Sequence, residues 1–352
     1  MDDGPLAAVL AAGAAVLDDP ALSRLSADLS APLRVGVCGR PGAGRAAVRR
    51  ALRGAGLVVA GPGVAADIGV YVFTETLTPD DRAALAEARL PTVAVLNKAD
   101  LAGFRDGGPM AIAAARCREL QSSTGVPTRP LAALLAVAAG DPAVLDPELV
   151  AALQQLKEGS AGANPAALSP GIRRRLLAEL DLFGIANAVA AVSDGADPAA
   201  LAALFRQLSG VNSVIAEIDR VGALPRYRRL IDALAPLVGQ SVGPRGARVA
   251  EFLAGDAVVL ARRAAAADVL TAAGEIPAGE IPAGEIPAGE IPAGEIPAGE
   301  IPDDSGGPDA ALRRAISFQR YARGPVAVLH RACGADIVRG ELRLWRRATR
   351  CP

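Results

Sequence analysis

A chain of 352 residues with 51% hydrophobic but only 3% aromatic content is long enough for two ordinary domains, and its alanine-rich apolar fraction predicts helix with strands confined to short Val/Ile runs. A formal charge of -1 argues against a nucleic-acid-binding protein, no run approaches the roughly 18 apolar residues of a membrane span, and the acidic start Met1-Asp2-Asp3 is unlike a secretory signal, so a cytoplasmic protein is expected. Four cysteines without CxxC spacing and a single histidine, His330, predict reduced structural thiols and no metal site.

Residues 1–30 read as an N-terminal helical segment broken at Asp19-Pro20. The first strand, Leu33 to Cys38, runs into Gly39-Arg40-Pro41-Gly42-Ala43-Gly44-Arg45-Ala46 and then a helix to about Arg53. A second apolar run, Leu57 to Ala60, ends in Gly61-Pro62-Gly63, and a third strand covers Ile68 to Phe73. Thr78, Pro79, Asp80 and Asp81 form a helix start: a capping hydroxyl, a proline at the first position and carboxylates in the positive first turn. A fourth strand, Thr92 to Leu96, leads into Asn97-Lys98-Ala99-Asp100, followed by a helix from Pro109 to Thr124, a strand near Val126 to Pro130, and an Ala/Leu-rich helix to Ala139. Strands alternating with helices predict an α/β domain over residues 31–140, a short parallel sheet with helices on both faces, whose ligands bind at the carboxyl ends of the strands.

Both candidate motifs fall at those ends. The GxxxxG run of Gly39, Gly42 and Gly44, placed strand to helix, has the form of a phosphate loop, in which glycines let backbone N–H groups turn onto phosphate oxygens at a helix N-terminus. Asn-Lys-x-Asp after an apolar strand suits guanine: Asp100 accepts from N1–H and the exocyclic amine, Asn97 orients against the O6/N7 edge, and Lys98 lies along the ring and braces the phosphate loop. Adenine lacks those two donors. With only two lysines among 352 residues, chance produces this pattern with a probability on the order of one in several hundred.

Residues 33 to about 137 therefore resemble a P-loop GTPase G domain of the translation-factor-related class, closest to the Era-like branch. The stretch from Ala66 to Leu101 carries most of the likeness. The resemblance implies GDP or GTP as ligand, and it places a backbone contact to guanine O6 after the last strand, where this chain reads Pro130-Leu131-Ala132-Ala133, so Ala132 joins the binding residues.

Departures from the family cluster on its metal and γ-phosphate half. Arg45 and Ala46 stand where the family has lysine and a magnesium-binding hydroxyl, and Ala60-Gly61-Pro62-Gly63 takes the place of Asp-x-x-Gly. Magnesium thus loses its expected ligands, and no catalytic residue is assigned. The favoured reading is a guanine-nucleotide-binding pseudo-GTPase that acts as a regulatory or assembly subunit. A GTPase completed in trans by a partner and a scaffold with an empty pocket stay open.

Beyond this domain, apolar residues at helical spacing predict a helical domain over 141–272. Residues 273–302 are six copies of Ala-Gly-Glu-Ile-Pro, in which proline every fifth residue forbids helix, so 273–306 is expected to be an extended acidic linker that packs on nothing. Residues 307–352 hold ten arginines against Asp309, Asp336 and Glu341, and read as short basic helices broken at Gly324-Pro325 and Gly334, with Val338, Leu342 and Trp345 on the apolar face. A protein partner is expected through the helical or C-terminal region; the face of Arg339, Arg343, Arg346 and Arg350 suits an acidic partner or an anionic lipid surface.

Overall fold

The computed structural model describes residues 20–61, 63–103, 107–158, 168–240, 246–276 and 308–350. Packing divides the chain into two compact units, Pro32–Asp219 and Met1–Ala31 with Arg220–Pro352.

In the first unit the strands β1 (Arg34–Gly39), β2 (Val58–Val59), β3 (Ile68–Phe73), β4 (Thr92–Asn97) and β5 (Thr128–Leu131) form one parallel sheet in the order β2-β1-β3-β4-β5. The central strands are apolar along their length because both faces are covered: Ile68, Val70, Val72, Val93, Ala94 and Val95 are all fully buried. The helices between strands are α2 (Arg45–Gly54), α3 (Pro79–Ala86) and α4 (Gly108–Thr124), and α5 (Ala133–Gly140) follows β5, α1 (Pro20–Ser30) belonging to the other unit. The chain steps from β1 outward to β2 and then back past β1 to β3. That reversal is a topological switch point between β1 and β3, and the carboxyl ends of the strands at such a point are the usual ligand position in such sheets.

The α/β expectation and its element boundaries hold to within a few residues, and α3 starts at the cap read from the sequence. The Thr78 hydroxyl accepts from the Asp81 amide at 3.3 Å, and the Asp81 carboxylate accepts from the Thr78 amide at 2.8 Å. The helices over 141–272, expected in one domain, divide at Asp219. In the sheet unit α6 (Pro147–Glu158), α7 (Pro170–Ser193), α8 (Pro198–Leu208) and α9 (Val211–Val221, which runs across the boundary) follow the sheet, with α7 and α8 packed against α5. A buried Glu217 on α9 takes the charge of Arg129 on β5, and the Ala132 amide donates to the Ser209 carbonyl at 2.9 Å. By length and composition α7 meets the requirement for a membrane span that the sequence reading found nowhere in the chain. It is broken at Asp181 and buries Leu176, Leu180, Gly184, Ala188 and Val192.

The second unit is helical: α1, α10 (Ala223–Gln240), α11 (Gly246–Leu253), α12 (Asp256–Ala273), α13 (Pro308–Arg323) and α14 (Val328–Arg350). Leu25 and Leu29 of α1 pack on Leu230, Leu234 and Val249, while Tyr227, Leu270, Phe318, Cys333 and Ile337 form a second cluster. Three expectations are corrected here. Gly334 does not break a helix: α14 runs through it, and a Cβ there would stand 3.0 Å from the Ala322 Cβ, so the glycine lets α13 come close. The fully buried face of α14 is Cys333, Asp336, Ile337 and Glu341; of the expected apolar face, Val338 packs partly buried against the second cluster, Trp345 is half-buried and Leu342 is exposed. Its two carboxylates are buried because arginines surround them: Arg263 at 2.6 Å and Arg314 at 2.8 Å on Glu341, Arg262 at 2.8 Å and Arg339 at 2.9 Å on Asp336. Finally, the acidic repeat is not wholly without packing. Its first copy closes α12 through left-handed Gly274 and inserts Ile276 into the second cluster; residues 277–307 lie outside the described residues.

Candidate functional site

At the end of β1 the glycine run makes a loop that no other residue type fits at two points. Gly39 has φ of 129° and a Cβ there would meet the Val72 carbonyl oxygen at 2.0 Å; Gly44 has φ of 85° and a Cβ would meet Asn97 Nδ2 at 2.3 Å. Directly after Gly44, α2 begins at Arg45 with no side-chain cap, so its first amides face the loop. Arg45 is half-buried and Ala46 exposed. The Arg45 and Arg49 charges act on the nearby Cys38 thiol, whose pKa burial nonetheless pushes up.

Arg40, inside the loop, is turned away from that cradle. Its guanidinium reaches the Thr74 and Thr76 carbonyls at 3.4 and 3.3 Å and pairs with the fully buried Asp81 at 3.1 Å. Burial opposes the Asp81 charge, but bonds from Thr78 and the Tyr71 hydroxyl, with the Arg40 charge, outweigh it and hold the carboxyl below its usual range. Burial, and then the bond to Asp81, push Tyr71 up to about 12. This network fixes the loop to the β3–α3 turn.

Asn97, at the end of β4, joins two loops. Its Nδ2 donates to the Ala43 carbonyl at 2.8 Å and its Oδ1 accepts from the Ala133 amide at 3.3 Å, all buried. The sequence reading set this side chain against a base edge; both its ends are instead committed to tying the glycine loop to the start of α5. Asn97→Ala strands a buried carbonyl and a buried amide, each at a cost of about 1–3 kcal/mol. Urea unfolding is expected to show the loss, and a shift below about 0.5 kcal/mol, the range of an ordinary surface change, would remove the tie from the fold's stabilising contacts.

Lys98 follows in the left-handed region, φ of 56°, with its side chain exposed and bonded to nothing among the described residues. Asp100 sits on the 3-10 turn Ala99–Leu101 and is only 6% exposed. Burial raises its pKa, and the charge of Asp181 adds to this against the opposing pull of its own amide and Lys98. Asp181 was not singled out from the sequence. It stands at the break in α7 with φ of 56° and ψ of 178°, a conformation that favours glycine, and its carboxylate accepts from the Leu182 amide at 2.7 Å. Nothing local marks it. Ala132 is buried and its amide is already engaged by Ser209, so the backbone contact expected there has no free donor.

The arrangement brings Gly39, Gly42, Gly44, Arg45, Ala46, Asn97, Lys98 and Asp100 to the carboxyl ends of neighbouring elements of one sheet. It can offer backbone donors and a guanidinium to an anion on one side, and a desolvated carboxylate acceptor on the other. Neither Arg45 nor Ala46 carries a side-chain oxygen for a metal, and the Ala60 amide continues the β2–β1 ladder by donating to the Val35 carbonyl at 2.9 Å. Among the described residues no group of three or more His, Cys, Asp or Glu could hold an ion. No family model matches the chain, and no curated protein or solved structure matches it either.

Proposed function

We propose that the sheet unit binds a guanine nucleotide at the carboxyl ends of its strands and does not hydrolyse it, so that the protein works as a regulatory or assembly subunit. The observation that carries this is the Asn97 bridge, which holds the glycine loop and the segment around Asp100 in one frame. The loop amides, the start of α2 and Arg45 suit the phosphates. Asp100 suits the base because a carboxylate held in a dry site gains most from two N–H donors. The same residues do not suit magnesium, and phosphoryl transfer of this class depends on metal and positioning, so turnover is expected to be lost before binding.

The direct test is a titration with fluorescent GDP, with magnesium and with chelator. Binding in the micromolar range or weaker is expected, about equal in both, with competition by GTP and none by adenine nucleotides. Arg45→Lys with Ala46→Ser should tighten binding more than it raises turnover. Magnesium-dependent GTP turnover well above background would establish an enzyme instead. One pair of observations favours the scaffold reading: the Ser209 carbonyl already occupies the Ala132 amide, and the Asp181 charge faces Asp100. Absence of binding at millimolar nucleotide would leave that reading alone.

A further inference from the structure

The helical unit holds a groove of about 570 Å³ lined by Arg262, Arg339, Arg343 and Arg346 over an apolar floor that includes Leu253 and Val259. Among the described residues Asp336 is the one carboxylate in its lining. Arg343 reaches Asp256 at 3.4 Å and the Ala254 carbonyl, and Arg262 and Arg339 share Asp336, but Arg346 is exposed and its guanidinium bonds to nothing among the described residues. A surface with excess guanidinium over aliphatic carbon is complementary to a segment that carries carboxylates and aliphatic side chains side by side.

This chain carries such a segment. Residues 277–307 contain seven carboxylates and no base, five of them glutamates followed by isoleucine. The first copy of the repeat already shows how the pair sits on this unit: Ile276 is 2% exposed among Tyr321, Cys333 and Ile337, while the Glu275 carboxylate lies 3.9 Å from His330 Nδ1, which the Tyr321 hydroxyl meets at 3.2 Å.

The topology brings later copies to the groove. Along α12, Asp256 pairs with Arg347, Arg263 with Glu341 and Glu275 with His330, so α12 and α14 are antiparallel. Arg314 near the start of α13 also meets Glu341. The chain therefore leaves at Ile276 beside the first turns of α14 and returns at Pro308 beside its last turns, the end that carries Arg343 and Arg346. The 18 residues of α12 span roughly 27 Å, a distance about eight extended residues could cross, and 31 residues, 277–307, are there to do it.

We propose that a later Glu-Ile pair of the repeat docks in cis in this groove, its carboxylate on Arg346 and Arg339 and its isoleucine on the Leu253 and Val259 floor. The copies are interchangeable for this purpose, so the docking tolerates changes in their number. It is independent of the nucleotide reading. Tethering supplies a millimolar effective concentration, enough to populate a contact too weak to hold a free peptide, and salt weakens it.

The test uses the full chain and a full-length variant with Glu280, Glu285, Glu290, Glu295 and Glu300 changed to glutamine and the isoleucine after each changed to serine. Both are treated with an arginine-selective dicarbonyl reagent, and modification of Arg346 is followed by mass spectrometry. Matching near-UV circular dichroism verifies that the described helices are unchanged. Arg346 is expected to react roughly three- to tenfold more slowly in the natural chain, with the difference lost at high salt. Equal rates in the two chains overturn the proposal. Protection that grows with protein concentration assigns the groove to a second copy, and phosphatidylserine vesicles that protect Arg346 when the repeat does not assign it to a lipid surface; both outcomes overturn docking in cis.

Discussion

Changing Asp100 to asparagine is expected to lower the affinity for guanine nucleotides by about 100-fold or more and to admit xanthine nucleotides. The carboxylate is 6% exposed, so a guanine placed against an amide leaves buried donors facing donors, whereas the 2-oxo group of xanthine finds the N–H it needs. The pH dependence follows from the same burial. Reading the base requires the charged form, and the pKa of Asp100 is raised by burial and by Asp181. Affinity should therefore begin to fall at a higher pH than for an ordinary aspartate as the solution is acidified, and the variant should lack that titration. For the free protein the sign is reversed. A carboxyl whose folded pKa lies above its unfolded value binds its proton more tightly when folded, so its contribution to stability improves as pH falls and is unfavourable above the folded pKa. Asp100→Asn should accordingly raise the melting temperature at neutral pH, with the gain shrinking in acid. Unchanged guanine preference in the variant would remove Asp100 from base recognition, whatever its effect on melting.

Glu341→Ala is expected to destabilise the helical unit by about 3–5 kcal/mol, the largest loss from any single change considered. Glu341 is fully buried between Arg263 and Arg314, and its removal leaves two buried guanidiniums facing each other without an anion. Among the described residues Arg263 Nη2 and Arg314 Nη1 already have no hydrogen-bond partner, so the cluster holds no spare acceptor there to share the load. Replacing all three residues by apolar side chains of similar volume should recover most of the loss, because it removes the desolvated charges together with their attraction. Urea unfolding of the two variants distinguishes these effects. A loss below about 1 kcal/mol in Glu341→Ala would show that the pair is solvated, as exposed ion pairs are.

Local chemistry was enough to place much of the sheet unit. Strand and helix follow from the length and period of apolar runs, the start of α3 from Thr78 and Asp81, and the loop after β1 from glycines that nothing else can replace. These signals act within a few residues, so the sequence carries them openly. The same is true of the contrast between the Asn97-Lys98-Ala99-Asp100 run and the missing lysine and hydroxyl at Arg45 and Ala46. The rest depends on partners dozens of residues away. Asn97 looked like a base-reading side chain until Ala43 and Ala133 were found on its two ends; Ala132 looked open until Ser209 was found on its amide. Asp336 and Glu341 stand in the sequence only as acids among ten arginines, yet they are buried, because arginines from α12 and α13 make burial tolerable and a carboxylate alone does not announce its counter-ion. Gly334 reads as a breaker and is a close-packing site, and the helices after residue 140 divide between two units, since helical periodicity tells which face of a helix is apolar but not which neighbour covers it.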